Sequence, residues 1–394
     1  MTEKPGTVRR SVRSFSGELW TSGQRKGCAI HEISYRACFK PQVPQYFIDR
    51  YSKPGDIVYD PFMGRGTTIL EAVLAGRKAI GNDVNPLSRV LVEPRLDVPT
   101  VALVEDRLDS IRLAKHGKPD IDLSMFYHPR TLQELLALRR YLIERRDGGE
   151  EDRIDRWIRM IATNRLTGHS PGFFSVYTLP PNQAASQDDQ RRINKVRKQK
   201  PEYRNVRDLI LKKTRRIISA LADDQREKLS DALDQVILLT RDARDTDQIM
   251  SNSIQLTVTS PPFLDIVDYA KDNWLRCWFN DISLESVERQ LTKTRTVTEW
   301  TDVMQAVFRE LHRITKPEGF VAFEVGEVRK STIKLDDVIL PVGASAGFDP
   351  VNVLINVQRF TKTAHIWGVH NNVRGTNTNR IVLFRKKPVL FVRS

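Results

Sequence analysis

The stretch that decides the fold is residues 57–67, with the sequence IVYDPFMGRGT. Its first four residues form an apolar run that is typical of a short buried strand. A glycine-rich loop follows, and Thr67 to Ala75 carries apolar side chains at helical spacing before it stops at Gly76. Lys78 to Asp83 then predicts a second strand. Strand, loop, helix and strand in this order predict the βαβ unit of a parallel sheet.

The elements farther along the chain extend this α/β pattern. PQVPQYFIDRY, within residues 39–51, predicts a short helix before the first strand, and Asn85-Pro86 is a good start for a helix after the second. The later patterns predict strands at 236–240, 254–259, 320–325, 351–360 and 380–385, a helix at about 301–315, and a turn at Pro317-Glu318-Gly319. Residues 96–234 are mostly helical in pattern. We therefore expect an irregular N-terminal arm, 1–29, an α/β domain formed by 30–95 plus 235–394, and a mainly helical insertion, 96–234.

Composition limits the partners more than it limits the fold. The 394 residues are 40% hydrophobic and 28% charged, which suits a globular chain of two domains or one domain with an insertion. No apolar run approaches the roughly 20 residues of a membrane span. The three scattered cysteines and the seven histidines show no metal-ligand spacing, so we expect no metal and a reduced, cytoplasmic protein. The net charge of +14 favours a polyanionic partner.

The glycine-rich loop between the first strand and its helix can hold an anionic or nucleotide-like ligand. A P-loop is excluded because no lysine follows Gly66, and a nicotinamide fingerprint is weakened because Ile69 stands where a third glycine is needed. An adenosine-type methyl-donor site fits better. Asp83 ends the second strand and can accept hydrogen bonds from both ribose hydroxyls. The alternative is that Asp83 caps the turn before Asn85-Pro86, and turn geometry alone could also explain the glycines.

A second segment, 256–263 with the sequence LTVTSPPF, joins an apolar strand to a rigid diproline and an aromatic ring. Prolines have no N–H group, so the nearby carbonyls are free to accept other hydrogen bonds. Ser260 and these carbonyls can orient a flat group that bears an amine, while Phe263 stacks on its ring. The alternative is an ordinary exit from a strand into a turn.

Together, DPFMGRGT at 60–67 and TSPPF at 259–263 resemble two motifs of the DNA amino-methyltransferases. The resemblance implies S-adenosylmethionine as cofactor and a Rossmann-like class I methyltransferase sheet, mostly parallel with an antiparallel last strand. It implies that the cofactor is bound by Phe39, Asp60, Phe62, Gly64, Gly66, Thr67, Asp83 and Asp242. It implies that catalysis depends on Ser260, Pro261, Pro262 and Phe263. One departure is that the insertion precedes Asp242, which leaves the assignment of the third strand open.

A serine at position 260 resembles the branch that methylates N4 of cytosine in duplex DNA after base flipping, as part of a restriction-modification system. Such an enzyme can act beside a cognate restriction endonuclease in the bacterial or archaeal cytoplasm, associated with the nucleoid. The proton of the amine would then leave to water or to a nearby acid. The alternatives are an adenine-N6 DNA methyltransferase, an RNA base N-methyltransferase and a DNA-binding protein without catalysis.

The insertion contains a strongly basic segment, 191–216, which alone contributes +10 of the +14 net charge. We expect phosphate contacts from Arg191, Arg192, Lys195, Arg197, Lys198, Lys200 and Arg204. The alternative is a solvated helix face. The loop at 164–187, rich in glycine, proline and aromatic residues, would either contact bases or pack the insertion onto the catalytic domain.

Overall fold

The computed structural model describes residues 12–17, 19–20, 28–36, 38, 40–113, 119–262, 269–290, 294, 296–328, 333–357 and 378–388. Within these ranges the largest sheet has eight strands, in the order β1-β9-β10-β6-β5-β2-β3-β4. Its strands are β1 Arg13–Gly17, β2 Ile57–Asp60, β3 Lys78–Asn82, β4 Val236–Leu239, β5 Ile254–Thr259, β6 Thr315–Val325, β9 Phe348–Val357 and β10 Thr378–Lys386. β7 Glu327–Val328 and β8 Ile333–Lys334 form a separate antiparallel pair.

The large sheet is mostly parallel. β2 pairs in parallel with β3 and with β5, and β5 pairs in parallel with β6. The last strand, β10, runs antiparallel to both β6 and β9. β4 is the parallel neighbour of β3, so it is the third strand of this series despite the long segment between them. These pairings confirm the predicted Rossmann-like class I methyltransferase sheet.

Helices flank the sheet and join its parallel strands. Before and after the βαβ unit they are α1 Gln42–Tyr51, α2 Thr67–Leu74 and α3 Leu87–Val92. Between β3 and β4 the chain continues through α4 Val101–Ser110, α5 Pro129–Asp147, α6 Arg153–Arg165, α7 Gln187–Arg197, α8 Val206–Ser219 and α9 Asp223–Asp231. The remaining helices are α10 Tyr269–Phe279, α11 Leu284–Gln290, α12 Val297–Ile314 and α13 Leu335–Ser345. None of the helices in the described part of the chain is long and apolar enough to cross a membrane.

Two hydrophobic clusters cover the two faces of the sheet. One contains Trp300 and Phe308 of α12 and Leu340 of α13, with Tyr59 and Phe323 from the strands. The other joins the opposite face of the sheet to α1 and α2 and also to buried side chains of α5, α6 and α8. The helical insertion therefore shares a continuous core with the sheet. Its predicted boundaries at residues 96 and 234 stay a prediction.

Two local predictions were wrong, and one predicted helix is confirmed but begins earlier than expected. Residues 13–17, expected within an irregular arm, form an edge strand that pairs in parallel with β9. The helix predicted at about 301–315 begins at Val297, because Thr296 and Glu299 form a capping box. β6 begins at Thr315, so Pro317-Glu318-Gly319 lies inside the strand. The strand accommodates it with a register shift against β5 and with a φ of +65° at Glu318.

Candidate active site

The predicted site residues collect at the carboxyl edge of the parallel strands. The glycine loop leaves the end of β2, Asp83 follows β3, Asp242 follows β4, and Ser260 follows β5. Parallel strands present their carboxyl ends at one edge, which is where open α/β sheets bind ligands. Phe39 and Phe263 lie outside the described residues, so their predicted roles stay predictions.

The glycine loop needs its glycines for conformation and for space. Gly64 and Gly66 have φ values of +47° and +73°, in the left-handed region that favours glycine. A Cβ atom at Gly66 would lie 2.5 Å from Cγ2 of Val92 in α3. The loop therefore packs tightly against the helix that follows β3.

Asp60 links the glycine loop to the segment after β5. Its Oδ1 accepts a hydrogen bond from Thr259 Oγ1 at 2.7 Å and another from the backbone N–H of Phe62 at 3.1 Å. The side chain is buried, and burial raises the pKa of its carboxyl to about 7 despite these hydrogen bonds. Asp60 therefore joins the ends of two neighbouring strands.

Asp83 bonds the same loop from the end of β3. Its Oδ2 accepts the N–H of Gly64 at 3.0 Å, and its Oδ1 accepts the N–H of Asn85 at 2.9 Å. Burial raises the pKa of the carboxyl. The turn-capping role that the sequence left open is thus present, together with a bond to the glycine loop. Its role toward a ribose stays a prediction.

The other predicted cofactor residues lie around this loop. Thr67 is buried at the start of α2, and its Oγ1 accepts a hydrogen bond from Arg65 Nε at 3.2 Å, whereas Phe62 is half-buried. Asp242 is half-buried after β4, and its hydrogen bond from Arg244, at 2.9 Å from Nε to Oδ1, lowers the pKa of its carboxyl. Asn82 connects these regions, because it donates to the carbonyl of Arg241 at 3.0 Å.

The predicted catalytic segment follows β5 directly. Ser260 and Pro262 are half-buried, and Pro261 is buried. The indole Nε1 of Trp300 in α12 donates a hydrogen bond to the carbonyl of Pro262 at 3.1 Å. The segment is therefore bonded to α12 through Pro262, and Thr259 just before it is bonded to β2.

Sequence reasoning missed two buried ionisable residues near this edge. Arg95 is fully buried, and its guanidinium donates to the backbone carbonyls of Ile30, Arg65 and Leu91. Burial lowers its pKa to about 9. Arg95 therefore links the glycine loop, through the carbonyl of Arg65, to the segments that contain Ile30 and Leu91. The sequence pattern of residues 93–95 contains no signal for this role.

Glu324 is the second residue that was missed. It stands one position beyond the last paired residues of β5 and β6, Thr259 and Phe323, as Ser260 does on the β5 side. Asn379 Nδ2 donates to its Oε1 at 2.5 Å, and burial raises the pKa of its carboxyl to about 7. A carboxylate in GFVAFEVGE, at the end of a predicted strand, was the only available signal.

The basic segment divides into two parts with different environments. On α7, Arg191 forms ion pairs with Asp188 and Asp122 at 2.7 and 2.9 Å, and Arg192 pairs with Asp189. The guanidinium of Arg197 lies 3.7 Å from the ring centroid of Tyr177. Within the described parts of the chain, Lys195, Lys198 and Lys200 are exposed and form no ion pair.

On α8 four of the five cations pair with acidic residues, and one of these four is buried. Lys213 is only 7% exposed and lies 2.8 Å from Glu32, which Arg216 also contacts. Arg215 pairs with Glu105 at 3.0 Å, and Arg207 pairs with Asp109. Much of the positive charge at 206–216 is therefore balanced within the protein.

The loop at 164–187 packs into the insertion. Phe173 and Phe174 are buried, and their predicted role in packing the insertion onto the catalytic domain stays a prediction. Arg204, predicted to contact phosphate, donates to the carbonyls of Ser170 and Phe173 at 3.0 and 3.1 Å. Its guanidinium therefore supports this loop. In the part of the chain that the structure describes, no group of three His, Cys, Asp or Glu side chains could hold a metal ion.

Parts of the chain are similar to known proteins. Residues 8–88 match the family model described as DNA methylase, which covers N6 and N4 methyltransferases. The Type II methyltransferase M.MjaII of Methanocaldococcus jannaschii is 40% identical over 68 residues, 17% of this chain and 13% of that protein. M.MthZI of Methanothermobacter thermautotrophicus is 30% identical over 165 residues, 34% of this chain and 46% of that protein.

Among solved structures, TrmN from Thermus thermophilus has a TM-score of 0.32 at 12% identity, over 89% of this chain and 50% of that one. The chain spans less than half the length of the two curated relatives. The strand order is that of a Rossmann-like class I methyltransferase sheet. The family match and the relatives, each over a part of the chain, support the resemblance to the DNA amino-methyltransferases.

Proposed function

We propose that the protein transfers a methyl group from S-adenosylmethionine to the exocyclic N4 amine of cytosine in duplex DNA. The observation that carries this proposal is that the two motif segments meet: Asp60, at the end of β2 before the glycine loop, is hydrogen-bonded at 2.7 Å to Thr259, the residue before Ser260. The family match supports methyl transfer to an amine of DNA. The choice of N4 of cytosine depends on the serine at position 260.

The residues at the carboxyl edge fit the cofactor. The positive φ values of Gly64 and Gly66 turn the loop tightly after β2, and Asp83 offers a carboxylate beside it. Gly64, Gly66, Asp60, Phe62 and Thr67 would surround the methionine part, together with Phe39. Asp83 would accept from the ribose, and Asp242 would lie near the adenine. When bound, S-adenosylmethionine supplies an electrophilic methyl group on a sulfonium.

The reaction requires residues of this chain to align the amine, to stabilise developing charge and to accept a proton. The amine of cytosine is a poor nucleophile, so it must be held in line with the methyl group once the base is flipped out of the duplex. Ser260 Oγ and the carbonyl of Pro261 accept its hydrogen bonds and stabilise the positive charge that develops on nitrogen. Phe263 stacks on the base. Glu324, near the end of β6, receives the proton that the amine releases, because a carboxyl with a pKa of about 7 can accept a proton at neutral pH.

The basic segment supports duplex DNA as the substrate. Lys195, Lys198 and Lys200 are exposed at the end of α7 and just beyond it, where they can contact phosphates. Arg191, Arg192 and Arg197 can join them if DNA displaces their present partners. We place the reaction in the bacterial or archaeal cytoplasm, at the nucleoid. The relatives named Type II methyltransferases support a restriction-modification role with a cognate endonuclease.

Mass spectrometry of nucleosides from plasmid DNA tests this proposal. DNA from cells that express the wild-type protein should contain N4-methylcytosine, and DNA from cells that express Ser260→Ala should contain much less. N6-methyladenine in its place would assign the adenine branch. Methylated bases confined to RNA would assign an RNA base methyltransferase. Unmodified nucleic acid with retained DNA binding would indicate a non-catalytic binding protein.

A further inference from the structure

The predicted catalytic segment cannot hold itself in place through its own backbone. Pro261 and Pro262 have no N–H groups, so two consecutive residues donate no main-chain hydrogen bond. β5 ends at Thr259, so the ladder that fixes the strand does not extend to Ser260. Groups bonded to the residues immediately before and after them can therefore orient Ser260 Oγ and the Pro261 carbonyl.

The residue before Ser260 is held by β2. Thr259 is buried, and its Oγ1 donates to Asp60 Oδ1 at 2.7 Å. One residue earlier, the carbonyl of Val258 accepts the hydroxyl of Thr68 at 3.0 Å, and Thr68 belongs to α2 directly after the glycine loop. The end of β5 is thus tied by side chains to both sides of the loop that holds the methyl donor.

The residue after Pro261 is held from the opposite direction. Trp300 is only 2% exposed, and its Nε1 donates to the carbonyl of Pro262 at 3.1 Å. Its helix, α12, begins with the capping box at Thr296, and the indole belongs to the hydrophobic cluster on that face of the sheet. The donor is therefore fixed by packing, and a buried indole N–H needs this acceptor.

We propose that Thr259 and Trp300 are positioning residues that clamp Ser260 and Pro261 against the methyl-donor site. Thr259 acts through Asp60, and Trp300 acts through the Pro262 carbonyl. The two hydrogen bonds fix both ends of a segment that is only two residues long between them, so they set where the two amine acceptors stand relative to the glycine loop. The inference rests on the proposed function, because it assigns the clamp to an amine-methylation site.

Single substitutions can remove each bond while keeping most of the side-chain volume. Thr259→Val removes the hydroxyl, and Thr259→Ser restores it. Trp300→Phe removes the N–H but keeps an aromatic ring. Matched controls lie far from the segment: Thr315→Val removes a buried hydroxyl that donates to Leu311 at the other end of the sheet, and Trp157→Phe removes an indole N–H that donates to Thr214 in the insertion.

With purified full-length protein, the clamp predicts a fall in kcat of about tenfold to 100-fold for Thr259→Val and Trp300→Phe, since a misplacement of about 1 Å can cost about 100-fold. The KM for DNA and the dissociation constant for S-adenosylmethionine should stay within about twofold. Thr259→Ser should recover most of the rate, and the two controls should keep it. The double variant should lose less than the product of the single losses, because both bonds hold the same segment.

Hydrogen exchange of the peptide that spans residues 256–268 supplies a readout that does not need activity. It should speed up in Thr259→Val and Trp300→Phe and stay unchanged in the two controls. The wild-type protein could lack methyltransferase activity while both variants still exchange faster than it does. The clamp would then stand and the proposed function would fail. Unchanged exchange and unchanged kcat in both variants would overturn the clamp, as would rate losses equal to those of the controls or a kcat that Thr259→Ser does not restore.

Discussion

Charged residues around the glycine loop are buried and hydrogen-bonded, whereas lysines of the basic segment of the insertion are exposed. Around the loop, Asp60 and Arg95 are buried and bonded to hydroxyl or backbone groups, so each charged group has a fixed geometry. On α7 and just after it, Lys195, Lys198 and Lys200 face solvent on long flexible side chains. The first region has the fixed geometry that the proposed cofactor site needs, and the second has the exposed charge that the proposed contact with DNA needs.

The difference also separates what short motifs can reveal from what charge counts can reveal. The predicted strand at 57–60 and the glycine loop were correct because local spacing determines them, and β5 was predicted with its observed bounds. The +10 charge of 191–216 suggested one binding face. The structure instead balances the α8 part with acids such as Glu32 and Glu105, which are distant in sequence.

The largest expected effect is at Gly66. Replacing it with alanine puts a residue with a Cβ at φ +73°, which costs about 1–2 kcal/mol. The new atom would also lie 2.5 Å from Val92, and overpacking typically costs about 1–3 kcal/mol more. We expect thermal unfolding at a lower temperature and loss of measurable S-adenosylmethionine binding in calorimetry.

Gly76→Ala is the matched control for this substitution. Gly76 has a φ of +74°, but its nearest contact for a Cβ is Pro54 at 4.0 Å. It should lose stability through strain alone and keep cofactor binding. If both variants bound the cofactor equally well, the close packing of Gly66 on Val92 would not matter for cofactor binding.

The next effect is at Asp83. Asp83→Ala removes a carboxylate that bonds Gly64 and that we expect to accept from the ribose. A hydrogen bond to a charged group is worth about 1.5–3 kcal/mol, or roughly 10- to 100-fold in cofactor affinity. Asp83→Asn keeps an acceptor for the backbone and should lose less. An unchanged dissociation constant for Asp83→Ala would reduce this residue to its turn-capping role.

Glu324 gives a pH-dependent test of the buried region. The proposed proton acceptor must be a carboxylate, so kcat should rise with pH through about 7, and Glu324→Gln should lose that rise and about tenfold or more in rate. On β10, Asn379 donates to this carboxyl, while the neighbouring Arg380 pairs with Asp336 at 3.2 Å. Asp60 titrates in the same range, so a rise that survives in Glu324→Gln would assign the pH dependence elsewhere.

The same raised pKa predicts the sign of a stability effect. A carboxyl that binds its proton more tightly when folded stabilises the protein below its ordinary pKa of about 4, and this contribution is lost as pH rises through about 7. Glu324→Gln should therefore flatten the fall in unfolding free energy between these two pH values. Denaturant titrations at pH 5 and pH 7.5 measure this directly.

The parts of the site that the sequence did not reveal are those that depend on contacts across the fold. Glu324 and Arg95 gain their roles from strand register and from carbonyls of distant segments, which no local spacing encodes. β1 was missed because its residues, RSFSG, lack a clear alternating pattern and pair with β9, more than 300 residues away. The early start of β6 was missed because proline and glycine normally mark a turn.

The smallest expected effect is on the basic segment, and it tests whether the exposed lysines there contact DNA. Changing Lys195, Lys198 and Lys200 to glutamine removes three exposed cations. If they contact phosphates, the slope of log affinity against log salt should flatten by about 0.9 per contact on duplex DNA. Preference among DNA sequences should persist, because phosphate contacts carry little sequence information, and cofactor binding should be unchanged.

The matched control changes Arg207, Arg215 and Arg216, which already pair with acids on other segments, to glutamine. It alters the net charge equally but should leave the slope nearly intact. Equal slopes for both triple variants would mean that net charge alone, and not the exposed lysines, attracts DNA. A steeper loss in the α8 variant would place the phosphate contacts on the part of the segment that the structure shows to be internally balanced.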